Sequence, residues 1–193
     1  MTLAHPATRD RLCPRAESAG LRVLAAASWP ESPDDRVPPP IPGFVISTFS
    51  PLAAATAARC LTRAAGAVAA GAGPRPVTGV VVVSALGDLA GATHVAEVVD
   101  SGGRPGPLMF FQAVPNAVAG HVAVRWGLEG PVVCVADGGA GVDVAGVLIE
   151  DGDADLVLVV RVEQGVAGAA DRAEAVLLAG GAGTSHSEEG EQP

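Results

Sequence analysis

The sequence predicts an α/β fold: a mostly parallel five-stranded sheet with helices on both faces and an antiparallel last strand. Three observations predict it. Short, continuously apolar runs, among them Val80–Val83, Val132–Ala136 and Leu156–Val160, suit strands covered on both faces. Between them lie segments with apolar residues at helical spacing, and such alternation builds a sheet with helices packed on it. The last two strands are separated by a glycine-rich loop, Gln164–Asp171, with no room for a crossover helix, so the final strand runs antiparallel.

Residues 1–20 are polar and aperiodic and read as a flexible arm. Leu21–Ser28 is the first strand. Trp29–Pro42 carries six prolines and forms an extended loop, and Ile41–Thr48 is apolar without a clear state. Ser50 as N-cap and Pro51 at the first helical position open a helix over Leu52–Ala70, which Gly71 and Gly73-Pro74 end. Val77–Ser84, with four consecutive valines, is the clearest strand. Gly91–Val99 reads as a helix with Ala92, Val95, Ala96 and Val99 on one face, and Ser101–Pro107 as a turn.

The stretch from Pro107 to Val162 organises the rest. Pro115 suits the first turn of a helix, where its missing N–H costs nothing. Ala119, Val122, Ala123 and Trp126 give that helix one apolar face. Gly127 suits the left-handed C-terminal position, and Gly130-Pro131 prevents continuation. The strand Val132–Ala136, a helix over Gly141–Glu150 and the strand Asp155–Val162 follow. Ala173–Ala179 is the last strand, and residues 180–193 form a disordered acidic tail. One domain therefore spans residues 21–179.

Composition excludes several functions. The 193 residues carry a net charge of −9, with twelve arginines and no lysine. No basic stripe exists for nucleic acid, and no lysine for a Schiff base or a phosphate loop. Tyrosine is absent, which removes tyrosine acid–base chemistry. Cys13, Cys60 and Cys134 lack metal-type spacing and read as reduced thiols. No signal peptide or membrane span is apparent, so the expected compartment is the cytoplasm. Neither a cofactor nor a metal is expected.

Individual motifs have bland readings. Asp137-Gly-Gly-Ala-Gly141 suggests a dinucleotide turn, but the third glycine position is Val144. Asp151-Gly-Asp-Ala-Asp155 suggests a calcium loop, but its sixth position is Leu156 and its twelfth Val162. Cys134 lies mid-strand and reads as buried and inert. His121 and His94 read as structural histidines, and Asn116 as a residue bonding backbone near the helix cap. No Ser–His–Asp, HExxH or paired-carboxylate pattern appears.

The order of motifs resembles the β-ketoacyl synthases. Val80-Val-Val-Val-Ser-Ala-Leu-Gly-Asp-Leu89 resembles their strand, serine and Gly-Asp/Glu-Leu segment. Phe110-Phe-Gln-Ala-Val-Pro-Asn-Ala-Val-Ala-Gly120 resembles their F-x-x-S-x-x-N-x-x-x-G helix start, and Gly127-Leu-Glu-Gly-Pro131 their G-L-x-G-P. Glu150-Asp-Gly-Asp-Ala-Asp155-Leu and Ala173-Glu-Ala-Val-Leu-Leu178 resemble the segments that follow. The resemblance covers Leu21–Ala179 and implies a thiolase-like half, closest to short β-ketoacyl-synthase-like N-terminal domains.

Two departures shape the functional expectation. Counting from Gly130-Pro131, the family's nucleophilic cysteine falls at Gly139, and the helix there is about one turn short. The family's catalytic histidines come from a second half, which this chain is expected to lack. The resemblance therefore implies a non-condensing, ketosynthase-like accessory or partner subunit of fatty-acid or polyketide biosynthesis. The alternative is an enzyme acting on a carrier-protein-bound chain by decarboxylation, isomerisation or cyclisation, with His121, Asp137 and Asn116 as candidates. A lone half would expose its apolar helix, so association is expected, as a homodimer or as a heterodimer with a ketosynthase-type subunit. An acyl carrier protein is a further candidate partner. The expected interface is Val132, Val133 and Val135 on the strand and Val142, Ala145, Leu148 and Ile149 on the helix.

Overall fold

The computed structural model describes residues 11–69, 75–112, 114–166 and 169–181. In chain order the elements are α1 (Leu12–Ser18), β1 (Arg22–Trp29), α2 (Phe49–Ala69), β2 (Thr78–Val83), α3 (Leu89–Asp100) and α4 (Pro107–Gln112). They continue with α5 (Pro115–Trp126), β3 (Val132–Val135), α6 (Gly138–Glu150), β4 (Leu156–Glu163) and β5 (Arg172–Ala179). The strands form one sheet in the order β1-β5-β4-β2-β3. β2 pairs with β3 and β4 in parallel, and β5 runs antiparallel to both β4 and β1. Four strands thus run one way and the last runs back between two of them, as the short connection requires.

Burial explains the unbroken apolar runs. Every residue of β2 is buried, and β4 is buried from Leu156 to Val160. On one face Val80, Val82, Leu158, Val160 and Leu177 pack under α2 and α5. α2 presents Leu52, Ala53, Ala57, Cys60, Leu61 and Ala64, an apolar face at helical spacing. On the other face Val81, Val83, Val157, Val159, Val176 and Leu178 pack under α1 and α6.

The residues expected in a loose arm need correction. Residues 1–10 lie outside the described part, but Leu12–Ser18 is a helix with Leu12 and Ala16 buried on the sheet. That helix changes the account of α6. Val142, Ala145 and Leu148, expected at an interface, are buried inside this chain's own core between the sheet and α1. A helix that is apolar most of the way round does not reveal which side meets its own sheet. Ile149 and Val144 are half-buried, and Val147 is exposed.

Other boundaries differ for local reasons. α2 starts at Phe49, so Ser50 and Pro51 sit inside its first turn, and Ser47 Oγ accepts from the Phe49 N–H at 3.1 Å. The glycines expected to end α2 lie outside the described residues. α4 was not anticipated, and its Phe111 ring lies 6.2 Å from that of Phe44. α3 forms as expected, but Ala92, Ala96 and Val99 of its apolar face are exposed. Gly127 ends α5 at φ 61°, the left-handed position expected of it. Gly180 and Gly181 are described, whereas residues 182–193 of the expected tail are not.

The proline-rich loop after β1 is tied down electrostatically. Arg59 of α2 lies over the Trp29 ring, 4.5 Å from its centroid, and pairs with Asp35, while Arg63 pairs with Glu31 at 2.6 Å. These bonds to Arg59 and Arg63 hold both carboxyls below the usual carboxylate range.

Candidate functional site

Sites in open α/β sheets lie beyond the carboxyl ends of the parallel strands. Here those ends are Val83, Val135 and Glu163, and β3 leads through Ala136 and Asp137 into α6. Asp137 is the N-cap: its carboxylate accepts from the Ala140 N–H at 2.9 Å. That bond, with further help from the Gly139 N–H, Arg15 and Arg161, holds its carboxyl below the usual range. The residue assigned as a catalytic candidate therefore serves to start the helix.

Gly139 stands one residue into α6, and Arg15 of α1 reaches across it to Asp143 at 3.3 Å. A Cβ placed on residue 139 would lie 2.6 Å from the Arg15 guanidinium carbon and 2.8 Å from Asp137 Oδ1. The space a nucleophilic side chain would need is occupied by a cation from α1. Gly141, next along, lets α6 sit close to the sheet: a Cβ there would come within 2.5 Å of a Val83 methyl.

Recesses among the described residues open at this end of the sheet. A cleft of about 250 Å³ opens beside α1 and is lined by Arg11, Ser28, Arg161, Glu163, Arg172 and Glu174. A second, of about 160 Å³, lies among Val82, Ser84, Pro115, Cys134 and Val135. Burial pushes the Cys134 thiol up from its ordinary value, which keeps it protonated and unreactive at neutral pH. The third, of about 360 Å³, is bordered by Thr48, Thr93, His94, Glu97, Gln164 and Asp171.

Beside the third recess runs a hydrogen-bonded brace that sequence reasoning missed. Ser47 donates to Asp88, which caps α3 by accepting from the Gly91 N–H at 2.9 Å. Gln164 donates to Ser47 at 3.0 Å and accepts from the Ala90 N–H at 3.0 Å. Asp171 accepts from Thr48 Oγ1 at 2.6 Å and from the Gly165 N–H at 2.9 Å. The brace joins the approach to α2, the start of α3 and the β4–β5 turn. Only Gly87-Asp88-Leu89 signalled any of it in the sequence.

The remaining candidates are scattered. His121 is half-buried and meets the Phe44 ring edge-on, 5.9 Å between centroids. His94, expected to be structural, is exposed on α3. Asn116 is exposed, and the cap of α5 is Val114 without a side-chain bond. Among the described residues no hydrogen bond, ion pair or ring contact joins His121, Asn116 and Asp137. Nor does any group of three or more His, Cys, Asp and Glu side chains there suit a metal. No described helix is long and apolar enough to cross a membrane. β3 is the sheet's edge, with Val132 exposed at 38% and Val133 and Val135 half-buried.

Comparison with known proteins places the fold. No family model matches the chain. No curated protein matches it either. Solved structures do. The complex of the ketosynthase ApeO with its chain length factor ApeC from Xenorhabdus doucetiae contains a chain 19% identical, at a TM-score of 0.65 over 85% of this chain and 80% of that one. The ishigamide ketosynthase/chain length factor matches at 22% identity and a TM-score of 0.58, over 76% of this chain and 47% of that one. AntDE:AntF, a type II polyketide synthase acyl-carrier protein in complex with its ketosynthase bound to the hexaketide, matches at 13% identity and 0.62, over 83% and 62%. The chain thus has the thiolase-like fold of ketosynthases. It spans about half of the second structure's chain and less than two thirds of the third's, while the first is about as long as this one.

Proposed function

We propose that this protein is a non-condensing, ketosynthase-like subunit that pairs with a ketosynthase-type partner in polyketide or fatty-acid assembly. The observation that carries the reading is at residue 139. The family resemblance puts a nucleophilic cysteine there, and here a glycine leaves the space to Arg15. Decarboxylative condensation by the family's route needs an activated thiol that takes up the acyl chain. Cys134 does not replace it, because it lies within β3 with its thiol kept protonated by burial.

The partner role draws on the free edge of β3. Pro131 and Val135 turn their carbonyls to β2, accepting from the Val80 and Ser84 N–H groups at 2.8 and 3.0 Å. By strand alternation Val132 and Cys134 direct their backbone groups to the open edge, and an unpaired apolar edge is a template for another strand. Val132 is the interface residue of this proposal, with Cys134 beside it on the edge, whereas Val133 and Val135, also expected there, pack against the core under α6. Two of the similar structures are ketosynthases with chain length factors, which agrees with a paired subunit.

Intact-mass spectrometry tests the catalytic half of the reading. After incubation with malonyl- and acyl-loaded carrier protein, the expected mass is that of the unmodified chain. An acyl adduct on any cysteine contradicts it.

A further inference from the structure

We propose that the arginine-lined cleft beside α1 binds an oxyanion, and that the natural ligand carries a phosphate group. The cleft does not depend on the partner role, since α1, β4 and β5 of this one chain form it. The protein has a net charge of −9, yet Arg11, Arg161 and Arg172 line one recess of about 250 Å³ at the carboxyl end of β4. Arg15 stands one helical turn beyond Arg11.

What decides the sign of the ligand is which charges in the cleft are already engaged. Glu174 accepts from the Leu12 N–H at 3.2 Å, and Glu163 takes the Arg161 Nε at 3.4 Å. The Leu12 N–H satisfies Glu174 without neutralising it, so the three arginines and two glutamates of the lining sum to a charge of +1. The side chains of Arg11 and Arg172 make no hydrogen bond or ion pair among the described residues, and both residues are exposed and line the cleft. Two guanidinium groups offer planar pairs of donors that match the oxygens of phosphate or carboxylate. The excess positive charge suits an anion, and the paired donors of Arg11 and Arg172 can engage more oxygens than the two a carboxylate offers, which favours a phosphate group; Ser28 lines the same cleft. The place fits as well, because ligands of open α/β sheets collect beyond the carboxyl ends of the parallel strands.

Titration calorimetry with inorganic phosphate, at fixed ionic strength set by chloride, tests the assignment. The expected result is saturable binding that Arg11→Ala and Arg172→Ala each weaken about tenfold, the loss of one charge-assisted contact. Arg104→Ala, outside the cleft, leaves the affinity unchanged. Phosphate is also expected to slow phenylglyoxal modification of Arg11 and Arg172, mapped by peptide mass, and to leave Arg104 labelling unaltered. Circular dichroism verifies that the variants fold. No saturable binding overturns the proposal, as does equal binding by the Arg11→Ala/Arg172→Ala double variant. Tighter binding of acetate than of phosphate overturns the choice of phosphate.

Discussion

At Gly139 the absence of a side chain and the presence of Arg15 are two sides of one packing arrangement. Adding a methyl group there forces the Arg15 guanidinium or the Asp137 cap to shift. We expect the helical gain of Gly139→Ala, up to about 1 kcal/mol, to be offset by the displaced Arg15 and Asp137 side chains, and to emerge more fully in the Arg15→Ala background of a double-mutant cycle read by urea unfolding. Strict additivity would show that the two sites do not share space. Asp35 offers a second test. Its carboxyl is held low by Arg59, so its contribution is present above the unfolded carboxylate value and lost as pH falls through the lower folded one. Asp35→Asn should therefore lower the melting temperature at neutral pH, and the gap should narrow progressively as pH falls below about 4. A gap that persists in acid would mean the ion pair is not its source. Burial also pushes the Cys60 thiol up to about 12 and raises those of Cys13 and Cys134. Iodoacetamide at neutral pH should label Cys60 only after unfolding, and rapid labelling of Cys134 in the native protein would contradict its reading as inert.

Among the elements, α1 is where sequence and structure part most. Its seven residues include Pro14 and only two buried positions, Leu12 and Ala16, too short a window for periodicity to show. Its contribution comes from tertiary packing, as expected of a helix too short to be stable alone. Leu12, only 1% exposed, sits against the sheet and α6, so Leu12→Ala should cost about 2–5 kcal/mol in urea unfolding, whereas a loose arm would register nothing. The covering by α1 also explains why the apolar surface of α6 does not form the broad exposed face expected for it. β2, β4 and α2 were legible because burial on both faces, or along one helical face, writes itself into runs and spacings. For the edge strand, Val132→Pro removes an outward N–H without touching the β2 ladder. It should prevent strand addition at this edge while leaving far-UV dichroism unchanged; loss of the native spectrum would mean that Val132 is needed within the sheet.

On the scale of the whole molecule, the alternation of strands and helices and the short last connection made the sheet and its antiparallel return readable. The insertion of β5 between β1 and β4 was not, because it follows from pairing between distant segments. The candidate site was hidden for the same reason. Arg11 and Arg15 come from one end of the chain and Arg161 and Arg172 from the other, with Gly139 between. The nucleophile position could be counted from Gly130-Pro131, but the side chain filling it could not. The partner role rests on that filled position and on the open edge of β3. Light scattering on the chain alone, and mixed with a full-length ketosynthase from the same source, tests it most directly. The account predicts a defined one-to-one complex that the Val132→Pro variant does not form. A chain that remains monomeric in the mixture, or a complex that Val132→Pro leaves intact, would contradict it.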